Sequence, residues 1–240
     1  ASKQIFSKLE EVLSINIIES SVAGGLNNLT ISQSIQASSA GFSYFPSNFF
    51  ELGSDVFISK KYAYPLFFPN GLTNYDYEVL VHEIGHALGL KHPFESNGNN
   101  GSILNTEEDQ TAFTAMSYND NSNTFDGTFR PLDWMVLTKL YGVNSNYNSE
   151  NNEYTFNDKH GVFIIDGSGV DTVNMNASSE DIFIDLRPAT HSYHGEKSPY
   201  ITMANQLTIS HGSLLENIET GSGNDTLIGN YLSNILIANA

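Results

Sequence analysis

His82, Glu83, His86, Gly89 and His92 stand at spacings that can do chemistry. On a helix, residues four apart project from one face with Cβ atoms roughly 5–6 Å from each other, so His82 and His86 can grip one tetrahedral cation. A further turn of the same straight helix would carry a third ligand too far along the axis. Gly89 solves this, because a residue free to adopt positive φ can end the helix and swing His92 back toward the metal. Three neutral imidazoles leave a fourth position for water, as in a catalytic zinc site. Glu83, beside the first ligand, is placed to reach that water as a general base.

Elements must hold these groups. Apolar residues at Ile5, Phe6, Leu9, Val12 and Leu13 predict an amphipathic helix over Lys3–Leu13. Alternation predicts strands at Ser14–Glu19, Leu29–Ser34, Gly41–Phe45 and Asp55–Lys60, divided by Ser, Gly, Asn and Pro turns. The histidine helix is expected from Asn74 or Tyr75 to about Leu90, with Thr73 or Asn74 as its cap. A third helix is expected over Pro131–Leu140, begun by Pro131 and ended at Gly142. Beyond it the texture changes. Asn, Ser and Gly fill the turns between short strands at Gly161–Ile165, Asp181–Leu186, Gln206–Ser210 and Leu227–Ile228. A boundary near Tyr147 divides an α+β unit, residues 1–147, from an all-β unit, residues 148–240.

Composition narrows the partners. In 240 residues, 27 Asp and Glu oppose 10 Lys and Arg, for a net charge of −17. Such a surface repels nucleic acid and anionic lipid. With no cysteine, any metal must be held by imidazole or oxygen. No run of 18 apolar residues predicts a membrane span, and no basic start with an apolar core reads as a signal peptide. An opening of Ala1-Ser2-Lys3 without Met suggests a mature or trimmed form.

The zinc-site spacing resembles the metzincin signature, and Thr114-Ala115-Met116-Ser117-Tyr118 resembles the Met-turn of that clan. With Met-Ser-Tyr at the turn, the chain is similar to the serralysin family of bacterial zinc endopeptidases. Gly41-Phe42-Ser43-Tyr44-Phe45-Pro46 lies at the place of that family's substrate-side edge strand, and Leu132-Asp133 to Leu140-Tyr141-Gly142 at its helix after the Met-turn. The resemblance implies a metzincin-like domain with a twisted, mainly parallel sheet, an antiparallel edge strand and an active-site helix. It implies His82, His86 and His92 as Zn²⁺ ligands, Glu83 as base and Met116 as a hydrophobic floor. Tyr118 matches the tyrosine that ligates resting zinc and then stabilises the transition state. Gly41, Phe42, Ser43 and Tyr44 would bind substrate, a protein or peptide. A secreted, bacterial, monomeric enzyme, open to a proteinaceous inhibitor, is the corresponding expectation.

Gly221-Ser222-Gly223-Asn224-Asp225-Thr226-Leu227-Ile228 is close to the repeats-in-toxin nonapeptide, whose glycine turns aim carbonyls and an Asp at Ca²⁺. Asp166-Gly167-Ser168-Gly169-Val170-Asp171 resembles the lead-in to such a β-roll. Asp166, Asp171 and Asp225 are the candidate Ca²⁺ ligands. Asn230–Ala240 lacks the Gly pairs and the Asp, so the second unit reads as a β-roll or β-sandwich remnant, either truncated or a rudiment with reduced calcium binding. A non-catalytic, calcium-dependent binding or adhesion module retaining a zinc site is the rival reading. His191 and His194 are expected to be structural or exposed, and Glu107-Glu108-Asp109 to be a solvated loop.

Overall fold

The computed structural model describes residues 2–21, 24–61, 74–96, 101–119 and 128–239. In chain order the elements are α1 (Ser2–Val12), β1 (Ile31–Ser34), β2 (Gly41–Ser43), β3 (Val56–Ser59), α2 (Asn74–Ala87) and α3 (Pro131–Tyr141). They are followed by β4 (Glu153–Tyr154), β5 (Val162–Ile164), β6 (Thr172–Met175), β7 (Ile182–Asp185), β8 (His191–His194), β9 (Gln206–Ile209), β10 (Asn217–Thr220), β11 (Thr226–Ile228) and β12 (Ile235–Ala238). The architecture is mixed α/β, mostly sheet with few helices. The chain packs as two compact units, Ala1–Lys8 with Asn16–Leu137 and Leu9–Ile15 with Thr138–Ala240. No helix among the described residues is long and apolar enough to cross a membrane.

In the first unit the sheet order is β1-β3-β2. β1 and β3 are parallel, and β2 lies antiparallel to β3 at the edge with Gly41 opposite Ile58 and Ser43 opposite Val56. Val56 and Ile58 are buried, as are Leu80, Val81, Ile84 and Ala87 of α2, which packs across β2 and β3. Apolar burial of this kind, about 25 cal/mol per Å² removed from water, seats the histidine helix. At the end of α2, Gly89 takes φ 100°. The Gly89 and Leu90 amides donate to the carbonyls of His86 and Gly85, both at 2.9 Å. This is a Schellman ending, and only a residue without Cβ takes that φ at little cost. The expected helix end at Leu90 therefore falls a few residues earlier. Of the expected caps, Thr73 and the Asn74 side chain lie outside the described residues.

Ser14–Glu19 forms no strand. Its apolar alternation is real, but alternation alone does not make a ladder, and among the described residues the adjacent Leu13 makes an isolated bridge to Val143 that no named strand extends. Thr172–Met175, His191–His194 and Asn217–Thr220 do form strands that the reading of apolar runs passed over, because half or more of their residues are polar.

The second unit has two sheets, in the orders β12-β10-β6-β4 and β11-β7-β8-β9-β5. All neighbours in the first of these are parallel and in register, with Val173 opposite Ile218. Val173 and Ile218 of that sheet, with Ile164, Ile182, Ile184, Leu186, Leu207 and Ile209, belong to one apolar core.

Candidate metal centre and active site

α2 brings His82 and His86 to one face, and the Gly89 turn returns His92 to them. His92 Nε2 lies 3.1 Å from Nε2 of both His82 and His86. A tetrahedral ion with Zn–N bonds of about 2.05 Å needs ligand nitrogens about 3.3 Å apart, so the spacing fits one ion. The outer nitrogens settle which atoms face it. His82 Nδ1 lies 2.8 Å from the Ala115 carbonyl, and His86 Nδ1 lies 2.8 Å from the Leu90 carbonyl. A carbonyl can only accept, so each Nδ1 carries the proton and each Nε2 turns a lone pair inward. His92 Nδ1 sits 2.9 Å from Glu95 Oε1, at ion-pair distance but off hydrogen-bond alignment. Burial lowers the His82 pKa to about 4 and also lowers that of His86, so both rings are neutral, as a metal requires. Among the described residues this is the one group of three His, Cys, Asp or Glu side chains whose ligating atoms all lie within 4.8 Å.

Lys91 anchors the returning segment, donating from Nζ to the Ser102 carbonyl at 2.8 Å and to the Glu95 carbonyl. Glu83 is 6% exposed. Burial raises its pKa to about 7, opposed by the Ser43 hydroxyl, which donates to Oε2 at 3.1 Å and to the Glu83 carbonyl at 2.8 Å. Gly41 presses on the same side chain: a Cβ there would lie 2.7 Å from Glu83 Cγ. Two of the four expected substrate-strand residues thus touch the expected base. The other two stack outward, Phe42 on Phe57 at 4.7 Å and edge-on to Tyr44 at 5.7 Å.

Met116 is buried beneath α2, where a Cβ on Gly85 would lie 2.6 Å from its Sδ. Tyr118 is 67% exposed, with its hydroxyl 2.9 Å from His92 Nε2. Burial, then the charges of Glu83 and Glu95, raise its pKa, which keeps the phenol protonated. A cleft of about 430 Å³ is lined by Gly41, Val79, His82, Glu83, Thr111 and Tyr118.

Three groups escaped the sequence reading. Glu108 and Asp109, expected in a solvated loop, are buried, and Asp109 Oδ1 accepts from the Ser117 hydroxyl at 2.6 Å. Asp133, 2% exposed, accepts from Thr114 Oγ1 at 2.6 Å, Ala115 N at 2.8 Å and Arg130 N at 2.9 Å. Arg130 in turn donates to Glu78 Oε2 at 2.9 Å. A charged residue near a motif looks solvated until the fold shows what surrounds it; of these partners only the Arg130 amide, three residues before Asp133, stands at a local spacing that could have signalled it.

In the second unit Asp166 and Asp171 face each other, while Asp225 occupies a different turn. Burial raises the pKa of Asp166 to about 7 and raises that of Asp171. The two Gly-Ser-Gly-x-Asp turns fold alike: Gly169 and Gly223 have φ of 139° and 149°, and a Cβ on them would meet the carbonyls of Glu150 and Glu180 at 2.3 and 2.8 Å. Asp171 Oδ1 accepts from Asn152 N at 2.7 Å, and Asp225 Oδ1 from Ile182 N at 3.0 Å. The other oxygen of each, Oδ2, is buried with no hydrogen-bond partner among the described residues, as is Asp166 Oδ1. Buried carboxylate oxygens without donors suit a hard cation. His191 and His194 are half-buried sheet residues, bonded to Thr208, Gln206 and Ser178.

Comparison with known proteins adds to this geometry. Residues 136–238 match the family described as peptidase M10 serralysin C terminal. The chain is 29% identical over 246 residues to metallopeptidase AprA of Pseudomonas marginalis, covering 89% of this chain and 50% of that protein. It is 32% identical over 195 residues to metalloprotease AprA of Pseudomonas entomophila, covering 69% and 39%, and 30% identical over 212 residues to serralysin C of Dickeya chrysanthemi, covering 78% and 42%. The chain spans half or less of the length of these relatives. Together the matches support placing it with the serralysin family of metalloproteases.

Proposed function

We propose that the chain is the zinc-dependent endopeptidase portion of a serralysin-type enzyme, with a metzincin-like catalytic unit over residues 1–147 and a short calcium-binding β-rich unit over residues 148–240. The observation that carries the reading is the convergence of three imidazole Nε2 atoms, two with their tautomer set by backbone carbonyls, beside the buried carboxyl group of Glu83. His82, His86 and His92 would hold the ion, with Tyr118 beside them. Zinc bound there supplies Lewis-acid polarisation of a water and of the substrate carbonyl.

The remaining chemistry belongs to the chain. An extended peptide pairs with the open edge of β2 at Gly41, Phe42, Ser43 and Tyr44, adding a strand. Glu83, with a pKa near 7, takes a proton from the attacking water and returns it to the leaving amine. The Tyr118 hydroxyl, still protonated, donates to the developing oxyanion. Asp166, Asp171 and Asp225 hold Ca²⁺ in the second unit, and the enzyme acts outside a bacterial cell as a monomer on protein or peptide substrates. The Glu83→Gln variant tests the base. It should bind one zinc per chain yet lose about 10²–10⁴-fold in kcat on casein; turnover near that of the unmodified protein would refute the assignment.

A further inference from the structure

The two carbonyls that fix the histidine tautomers are held differently. The Leu90 carbonyl belongs to the Gly89 turn itself, within the same local segment as His86. The Ala115 carbonyl, which receives His82 Nδ1–H, belongs to a turn 33 residues away in sequence, and its direction depends on what grips the two peptide planes around Ala115. The plane before Ala115 is gripped at its N–H by Asp133 Oδ2 at 2.8 Å. The plane after it carries the Ala115 carbonyl at one edge and the Met116 N–H at the other. That N–H donates to Thr114 Oγ1 at 3.1 Å, and the same hydroxyl donates to Asp133 Oδ1 at 2.6 Å. One carboxylate therefore holds both planes.

Asp133 is itself fixed. It occupies the third position of α3 and reaches back to the Arg130 N–H at 2.9 Å, the reciprocal half of a capping box, behind a proline at the first position. The Leu132 N–H donates to the Phe113 carbonyl at 3.0 Å, docking the start of α3 on the same turn. Arg130 completes the brace, donating from Nε to the Thr111 carbonyl at 3.1 Å and from Nη2 to Glu78 Oε2 at 2.9 Å, one helical turn before His82.

We infer that Asp133 is a positioning residue for the metal centre, setting the orientation and tautomer of His82 through the Thr114 hydroxyl and the Ala115 peptides. It touches neither metal nor substrate. The inference rests on the zinc-site reading and adds to it a residue with its own observable. Outer partners of a ligating histidine typically change metal affinity 10–100-fold when removed.

The test compares the full chain with Asp133→Ala and Asp133→Asn, using ¹⁵N–¹H correlation of the imidazole Nδ1–H groups in metal-free and zinc-loaded protein, and zinc affinity by competition with a chromophoric chelator. D133A should shift or broaden the His82 Nδ1–H signal, leave that of His86 in place, and weaken zinc binding about 10–100-fold. D133N should restore most of the loss, because its amide oxygen can still accept from Ala115 N and Arg130 N while its NH₂ turns to Thr114. A folded D133A with His82 signal and zinc affinity unchanged, or with both histidines displaced alike, overturns the inference. If D133A does not fold, Thr114→Val cuts the hydroxyl arm alone; a His82-only displacement supports the role, and none overturns it. Zinc binding without proteolysis in the unsubstituted protein would sink the protease reading and leave this comparison standing.

Discussion

Gly41→Ala tests the packing of strand against base. The added methyl carbon would sit 2.7 Å from Glu83 Cγ, 2.8 Å from Oε1 and 3.0 Å from Cδ. Carbon atoms rest at about 3.5–4.0 Å, so either the Glu83 carboxyl group or the β2 edge must retreat by about 1 Å. A displacement of that size at a reacting group costs on the order of 10²-fold in rate. The atoms nearest this methyl all belong to Glu83, and the Ala115 and Leu90 carbonyls that orient His82 and His86 are not among them, so zinc affinity should hold within about twofold. Steady-state kinetics on a quenched fluorescent peptide, with chelator competition for zinc, separate the effects. A fall of about 10–100-fold in kcat/KM with zinc retained is expected, in kcat if Glu83 yields and in KM if the strand yields. Activity within threefold of the unmodified protein, with zinc bound, would show that Glu83 does not act from this position.

Gly85→Ala places a methyl 2.6 Å from Met116 Sδ and 3.4 Å from Leu90 Cδ1 and Phe129 Cε1. Overpacking of this kind should lower stability by about 1–3 kcal/mol, visible as a drop in thermal midpoint; an unchanged midpoint would mean that Met116 is not packed under α2. In the second unit, buried Asp166 and Asp171 bind protons more tightly than in the unfolded chain. For a carboxyl group so raised, the folded state loses its proton-linked advantage as pH climbs from the ordinary range near 4 through about 7. Calcium supplies the missing positive charge, so its stabilisation of the chelator-treated protein should be larger at pH 8 than at pH 5. Calorimetry in EGTA and in calcium would contradict the assignment if the shift were equal at both.

The candidate site was legible where chemistry follows helical spacing. His82, His86 and Glu83 are fixed by one helix, and Gly89 announces the turn that returns His92. The partners that set their states were not legible, because Ser43, Ala115 and Asp133 reach them from 33 to 40 residues away or through one another. The fold shows the same division. An apolar stripe exposed α1 and the glycine at its exit exposed α2, whereas Ser14–Glu19 alternates yet is not a strand, and His191–His194 lies between β7 and β9 despite its polar sequence. Periodicity reports which way side chains can face; pairing depends on strands far along the chain.

The proposed active site depends on one ion held among three imidazole rings. Metal analysis combined with zinc K-edge absorption on the purified chain should find one zinc per polypeptide, bound by three imidazole nitrogens at about 2.0–2.1 Å with the remaining shell made of oxygen. No stoichiometric metal after zinc loading, or a shell without three nitrogens, would contradict it.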